Sequence, residues 1–210
     1  MKKRLAAFYV VVLVGIIGLT IYVEDYPLSN FDLHTTQELQ EQRAWDPTLL
    51  MELISVFGSG AGASLSIVIA SSLFFLTKRR REAYFTLAVI IPDLFNMLIK
   101  ILIHRPRPTL EDARILLKFS QTGFPSGHVV HYVVFFGFLL SVMILDKSIP
   151  SLWRIVIGIL SIFLIFMVSI SRVYLGAHWA TDVIGGYLFG FLYLGIFLRF
   201  YLKDAKFKHP

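Results

Sequence analysis

Three histidines, a carboxylate and several cations fall in three short segments of this chain. The first runs from Lys100 to Pro108 and carries His104, Arg105 and Arg107. Its prolines, Pro106 and Pro108, stop a helix and fix the backbone where Arg105 and Arg107 stand. Taken alone, a lysine ending an apolar run reads as one that snorkels to lipid headgroups. The second segment is Gly123, Phe124, Pro125, Ser126, Gly127 and His128, leading into an apolar run. Ser126 is a natural N-cap. The free N–H groups and dipole of a helix start make an anion site, and Gly127 lets a ligand approach it closely; read blandly, the segment is turn chemistry. The third holds Ser171, Arg172, Tyr174, His178, Trp179 and Asp182. If a helix has begun by His178, the spacing of four puts His178 and Asp182 on one face. The carboxylate then takes one imidazole N–H and leaves the other nitrogen as nucleophile or base; otherwise Asp182 caps a helix start.

Cations, a helix start and two histidines suit an anionic substrate whose cleavage needs a nucleophile and an acid, which points to phosphoryl transfer. His104, His128, His131 and His178 can be argued into a zinc site, but the neighbouring Lys and Arg residues repel a dication, so no metal is expected. Asp93 and Asn96 precede Lys100 by seven and four residues. They share its helix face, and either orient Lys100 or bond helix to helix. Gly58, Ser59, Gly60, Ala61, Gly62 and Ala63 read as close helix packing and not as a phosphate loop, since no Lys-Ser/Thr follows them.

The elements that must position these segments are membrane helices. Of 210 residues 56% are hydrophobic and only 16% charged, and the mean hydropathy is +0.70. A soluble globule carries about a quarter of its residues as charges, so that class is excluded; with no cysteine, a disulfide-stapled secreted domain is excluded too. Apolar runs long enough to cross a bilayer predict six helices, over Leu5–Val23, Leu49–Leu76, Ala83–Ile103, Val129–Leu145, Ile155–Val173 and Thr181–Phe200. The expected fold is an all-α, six-helix transmembrane bundle in a single domain. Met1–Val23 is expected to be a retained helix and not a cleaved signal.

The net charge of +6 raises nucleic acid as a partner, but the cations sit in blocks between the apolar runs. Thirteen of twenty lie on one side: Lys2, Lys3, Arg4, Lys78, Arg79, Arg80, Arg81, Lys147, Arg154, Arg199, Lys203, Lys206 and Lys208. That side is expected to be cytoplasmic, with both termini. The first outer loop supports this, for Glu24, Asp25, Asp32, Glu38, Glu41 and Asp46 face only Arg43. Lys100, Arg105, Arg107, Arg114, Lys118 and Arg172 lie outside against the rule, and most belong to the three segments above.

Those segments resemble the three signature motifs of the type 2 phosphatidic acid phosphatase superfamily, which includes integral-membrane lipid phosphate phosphatases and the vanadium haloperoxidases. Lys100 through Arg107-Pro108 matches the first, Pro125, Ser126, Gly127 and His128 the second, and Ser171-Arg172 with His178 and Asp182 the third. The six-helix plan extends the likeness over nearly the whole chain. Val129 and Val130 depart from the small residues many members carry there, which affects packing. The short stretch from His104 to Phe124 leaves no room for an added outer domain.

The resemblance implies a membrane hydrolase of lipid phosphate mono- or diphosphate esters, working without metal or cofactor. Undecaprenyl diphosphate, phosphatidylglycerophosphate and phosphatidic acid stand unranked as substrates. It implies His178 as nucleophile, Asp182 as its orienting partner and His128 as acid and base. Lys100, Arg107, Ser126, Gly127 and Arg172 are the implied phosphate ligands. Arg105, Tyr174 and Trp179 are expected at the entrance, with interfacial anchoring the alternative for the two aromatics. The expected partners are the lipid phosphate and membrane lipids, without nucleic acid; oligomeric state stays open. A lipid phosphotransferase using the same pocket, and a non-catalytic transporter, are the alternatives.

Overall fold

The computed structural model describes residues 2–41, 46–116 and 122–205, so Arg43, Lys118, Lys206 and Lys208 lie outside the described residues. Every regular element among those described is helical: α1 (Lys2–Asp25), α2 (Asn30–Gln40), α3 (Thr48–Ser55), a 3-10 turn (Val56–Gly58), α4 (Gly60–Leu76), α5 (Arg80–Leu87), α6 (Ile90–Ile103), α7 (Gly127–Leu145), α8 (Ser151–Tyr174) and α9 (Ala180–Ala205). Five stretches are long and apolar enough to cross a membrane: Ala6–Asp25, Arg80–Ile103, Gly127–Leu145, Ser151–Tyr174 and Ala180–Lys203. A sixth is made by the bent pair Thr48–Gly58 and Gly60–Leu76.

The run Leu49–Leu76 is therefore not one straight helix, as its hydropathy predicts, but two segments meeting at 61°. Ser59 is extended and caps α4, its Oγ accepting from the Gly62 N–H at 3.1 Å. The corner needs glycine, because a Cβ on Gly62 would lie 1.9 Å from the carbonyl oxygen of Val56. The third span also differs, starting at Arg80 and turning at Ala88 and Val89 between α5 and α6. Pro92 accounts for this turn: it has no N–H to offer the carbonyl of residue 88, and its ring crowds that carbonyl. A further correction is α2, in the stretch expected to be an acidic loop. Ser29 caps it, accepting from the Asp32 N–H at 3.1 Å and donating to Asp32 Oδ2 at 2.8 Å.

Helix α7 is the axis of the molecule. It is apolar all round, and Val129–Phe138 is buried without interruption against α8 and α9. Its valines sit on glycines of α9, where a Cβ on Gly186 would meet Val129 Cβ at 2.8 Å and one on Gly190 would meet Val133 Cβ at 2.7 Å. Contact this close fixes the height of α7 against α9, and thereby the height of His128 against Asp182. Helix α1 packs on the far side of α9, and the outward faces of α1, α4, α6 and α8 are rows of exposed Leu, Ile, Val and Phe. Such faces suit lipid and not water.

Candidate functional site

The three segments converge on one cavity of about 800 Å³. Lys100, Arg107, Gly127, His128, Arg172 and His178 line it, with Ser55, Gly58 and Ser59 from the bent pair opposite and Asp93, Asn96 and His131 further along.

Helix α6 ends at His104, in the left-handed conformation with φ 50°, and the chain turns so that Arg105 and Arg107 point in different directions. Arg107 reaches the cavity. Its Nη1 donates to the Ala177 carbonyl at 2.6 Å and lies 3.4 Å from His178 Nε2. Burial pushes its pKa down to about 10, with Asp182 partly opposing, so it remains a cation at neutral pH. Lys100 is buried, and its Nζ donates to the carbonyls of Thr122 at 2.8 Å and Gly123 at 3.2 Å. Those carbonyls orient Lys100; Asp93, read from the sequence as one possible guide, pairs with His131 instead (Nδ1 to Oδ2, 2.8 Å).

Ser126 occupies the N-cap position of α7 but makes no capping bond, and its buried hydroxyl has no hydrogen-bond partner among the described residues. That leaves the first N–H groups of α7, beginning at Gly127 beside Lys100, while the Ser126 side chain itself does not line the cavity. The His128 ring lies on Gly58, where a Cβ would come within 2.6 Å of His128 Cδ2. The glycine-rich stretch thus does two things: Gly58 seats His128, as close packing predicts, while Ser59 to Gly62 break the helix. Arg172 is buried at the end of α8, with Nη1 donating to Ser55 Oγ at 2.6 Å.

His178 lies in the turn before α9, which begins only at Ala180. The spacing of four still brings it to Asp182, with Nδ1 3.3 Å from Oδ2. The same oxygen accepts from the Trp179 N–H at 3.0 Å, so Asp182 also serves as the acidic half of a capping box at N3. The helix-cap and imidazole-partner readings of Asp182 both hold. A proton on Nδ1, facing the carboxylate, leaves a lone pair on Nε2 toward the cavity. Burial, and then the charges of Arg107, Lys100 and Arg172, hold the His178 pKa well below its ordinary 6.5. The ring is neutral at neutral pH.

Arg105, Tyr174 and Trp179 do not stand at an entrance: all three are buried and none lines the cavity. Arg105 turns inward and joins two carboxylates, donating to Asp182 Oδ1 at 2.5 Å and to Asp32 Oδ2 at 2.8 Å, with further bonds to Thr181 Oγ1 and the Pro27 carbonyl. Asp32 caps α9 from outside, accepting the Thr181 N–H at 2.9 Å. Thus Asp182 is gripped on both oxygens, and α2 exists to bring Asp32 there. Sequence reasoning missed Asp32, Thr181 and Ser55; the one local signal was the Ser29-to-Asp32 spacing of a helix start. Of the four histidines of the zinc alternative, His128, His131 and His178 line the cavity and His104 does not. His104 bonds the Ile101 carbonyl, and among the described residues no three His, Cys, Asp or Glu residues form a metal-holding group.

Cations, a helix N-terminus and a neutral imidazole around one cavity make a receptor for a tetrahedral oxyanion next to a nitrogen nucleophile. Similar proteins are lipid phosphatases. The PAP2 superfamily profile matches residues 81–206, and the chain belongs to that family. It is 31% identical over 148 residues to phosphatidylglycerophosphatase B of Bacillus subtilis (strain 168), covering 69% of this chain and 70% of that one. It is 30% identical over 142 residues to the undecaprenyl-diphosphatase of Sulfolobus acidocaldarius, covering 65% of this chain and 64% of the other. The crystal structure of a transmembrane PAP2-type phosphatidylglycerolphosphate phosphatase from Bacillus subtilis superposes with a TM-score of 0.79 at 25% identity, over 96% of this chain and 98% of that chain. The Aquifex aeolicus LpxE structure, at 20% identity and a TM-score of 0.62 over 83% and 96% of the two chains, shares the fold. The chain is a multi-pass membrane hydrolase of this lipid phosphatase family.

Proposed function

We propose that this chain, as one domain, hydrolyses a lipid phosphate ester through a phosphohistidine on His178, at a site on the extracytoplasmic face of the membrane. The observation that carries the reading is the state of His178, a neutral ring with Nδ1 toward Asp182 and Nε2 toward the cavity beside Arg107. The Nε2 lone pair attacks phosphorus, the N–P bond forms, and the bond from phosphorus to the lipid oxygen breaks. His128 gives its proton to that oxygen, releasing the lipid product, then takes a proton from the water that displaces His178 and frees inorganic phosphate. Asp182 stabilises the positive charge the His178 ring acquires. Lys100, Arg107, Arg172, Ser126 and the Gly127 N–H hold the other phosphate oxygens. Charge stabilisation of this kind is the main demand of phosphoryl transfer, so the cations act where other phosphatases use a divalent ion.

Rapid-quench trapping with radiolabelled lipid phosphate tests this. An acid-labile phosphoenzyme is expected in the wild-type chain and in slowed form in His128→Ala, and none in His178→Ala. Trapping in His178→Ala but not in His128→Ala would exchange the two roles, and loss of wild-type activity in EDTA would sink the cation-only account.

A further inference from the structure

Beyond the phosphate ligands, the cavity wall carries polar side chains that the reaction at phosphorus does not use. Asp93, Asn96 and Lys100 recur on α6 at intervals of three and four, so they share one face over about 10 Å of helix. All three line the cavity. Across from them on α7, His131 stands one turn further along than His128, only 2% exposed, its ring stacked on Phe135 at 5.4 Å. Its Nδ1 lies 2.8 Å from Asp93 Oδ2. The carboxylate accepts that proton's hydrogen bond, and in the neutral ring Nε2 is then an acceptor. Nε2 is buried and has no hydrogen-bond partner among the described residues; the same holds for Oδ1 of Asn96, itself 3% exposed. Two buried acceptors without a donor are costly to leave unpaired. An O–H group can satisfy either of them, giving its one hydrogen to one acceptor at a time.

We propose that Asn96 and His131, the latter held by Asp93, form a subsite for a hydroxyl of the leaving alcohol. The preferred substrate is then a glycerol phosphate ester with a free hydroxyl beside the scissile C–O bond, and not a polyprenyl diphosphate. This rests on His128 as the acid at the leaving oxygen. From there His131 is about 5–6 Å further along the helix, measured between Cβ atoms, and the neighbouring hydroxyl of a glycerol phosphate is three bonds away. A diphosphate would set a second anionic phosphoryl group at that place, acceptors facing acceptors and like charge facing Asp93. The ester carbonyls of a diacylglycerol phosphate bring no donor. A site built to bond a hydroxyl discriminates sharply against the analogue that lacks it, because its own polar atoms stay unpaired.

The test measures phosphate release by the purified full chain in detergent from three probes. They are dioleoyl phosphatidylglycerophosphate, its analogue with 1,3-propanediol in place of the headgroup glycerol, and geranylgeranyl diphosphate. The expected wild-type kcat/KM for the hydroxylated lipid exceeds that for its deoxy analogue by about tenfold or more. His131→Phe, which keeps the stack on Phe135 but loses Nε2, and Asn96→Leu should each bring that ratio toward one. A wild-type ratio near one, a preference for the diphosphate, or a ratio unchanged in both variants overturns the subsite. Should phosphate be released with His178 labelled but without preference, the subsite alone fails; release from none of the probes sinks the phosphatase reading with it.

Discussion

In the proposed reaction the reactivity of His178 is set by what stands at each of its two nitrogens. Burial and three cations keep the ring neutral, and Asp182 keeps the proton on the nitrogen away from the cavity. Protonation would occupy Nε2, so reactivity falls only as pH drops through the ring's own pKa, which lies below 6.5. Nitrogen-15 histidine spectra of the detergent-solubilised chain should therefore show His178 still neutral at pH 6.5, where an ordinary histidine is half charged; a midpoint at or above that value contradicts the assignment. Asp182 depends in turn on Arg105, whose planar fork spans it and Asp32. Arg105→Lys offers one point charge for two carboxylates. Turnover should drop at least about tenfold with KM little changed, because the proposed phosphate ligands are untouched; a rise in KM alone would make Arg105 a substrate ligand instead. The His178–Asp182 pair is legible in the sequence because four residues make a helical neighbour. The Arg105–Asp32 pair is not, since its members lie 73 positions apart and Asp32 counts, by composition, as one more outer-loop acid.

Among the elements, the bent pair α3–α4 contributes what the long helices cannot: it turns Ser55 toward Arg172 and lays Gly58 under His128. Hydropathy locates the apolar run but is blind to a corner inside it, because Gly, Ser and Ala are apolar enough to keep the window high. The corner is readable only from the backbone clash that a side chain would cause. Gly62→Ala presses a methyl into the Val56 carbonyl and should destabilise the chain by about 1–3 kcal/mol, seen as a lower melting temperature in detergent. Gly58→Ala meets side-chain atoms of His128, the ring at 2.6 Å and Cβ at 3.0 Å, where Gly62→Ala meets backbone. It should leave the melting temperature nearly unchanged and reduce turnover by an order of magnitude or more, since an ångström of displacement at a reacting group is costly. Full activity in Gly58→Ala would separate the seat of His128 from its role. Helix α2 was hidden for a different reason. Its buried residues are Asp32 and Thr36, and of its apolar residues Leu39 packs only partly buried against the core, so the inward face carries little of the apolar periodicity by which amphipathic helices are found.

On the scale of the whole molecule, the cavity lies at one end of the bundle and the short cationic turns at the other. Lys78–Arg81 joins α4 to α5, Lys147 joins α7 to α8, and Lys203 ends α9. Arg79 is fastened to this end by Asp146 at 2.9 Å and by Ser148. The described members of the set that the sequence puts in the cytoplasm lie on this side, and most of the described cations on the other belong to the site, where an anion and not the membrane potential accounts for them. Cations in short loops are retained in the cytoplasm, so the cavity should face outward. A lipid phosphate in the outer leaflet could then reach it at headgroup height. The sequence has no cysteine, which makes single-cysteine labelling a clean measurement. Leu110→Cys lies on the cavity side and Lys147→Cys on the other, both at exposed positions. In intact cells a membrane-impermeant maleimide should label residue 110 and leave residue 147 untouched until the membrane is opened. Labelling of 147 alone would invert the molecule and put the reaction on the cytoplasmic leaflet. Equal labelling of both would mean that the charge bias does not fix one orientation. In either case the chemistry at His178 would stand while the pool of lipid it serves would change.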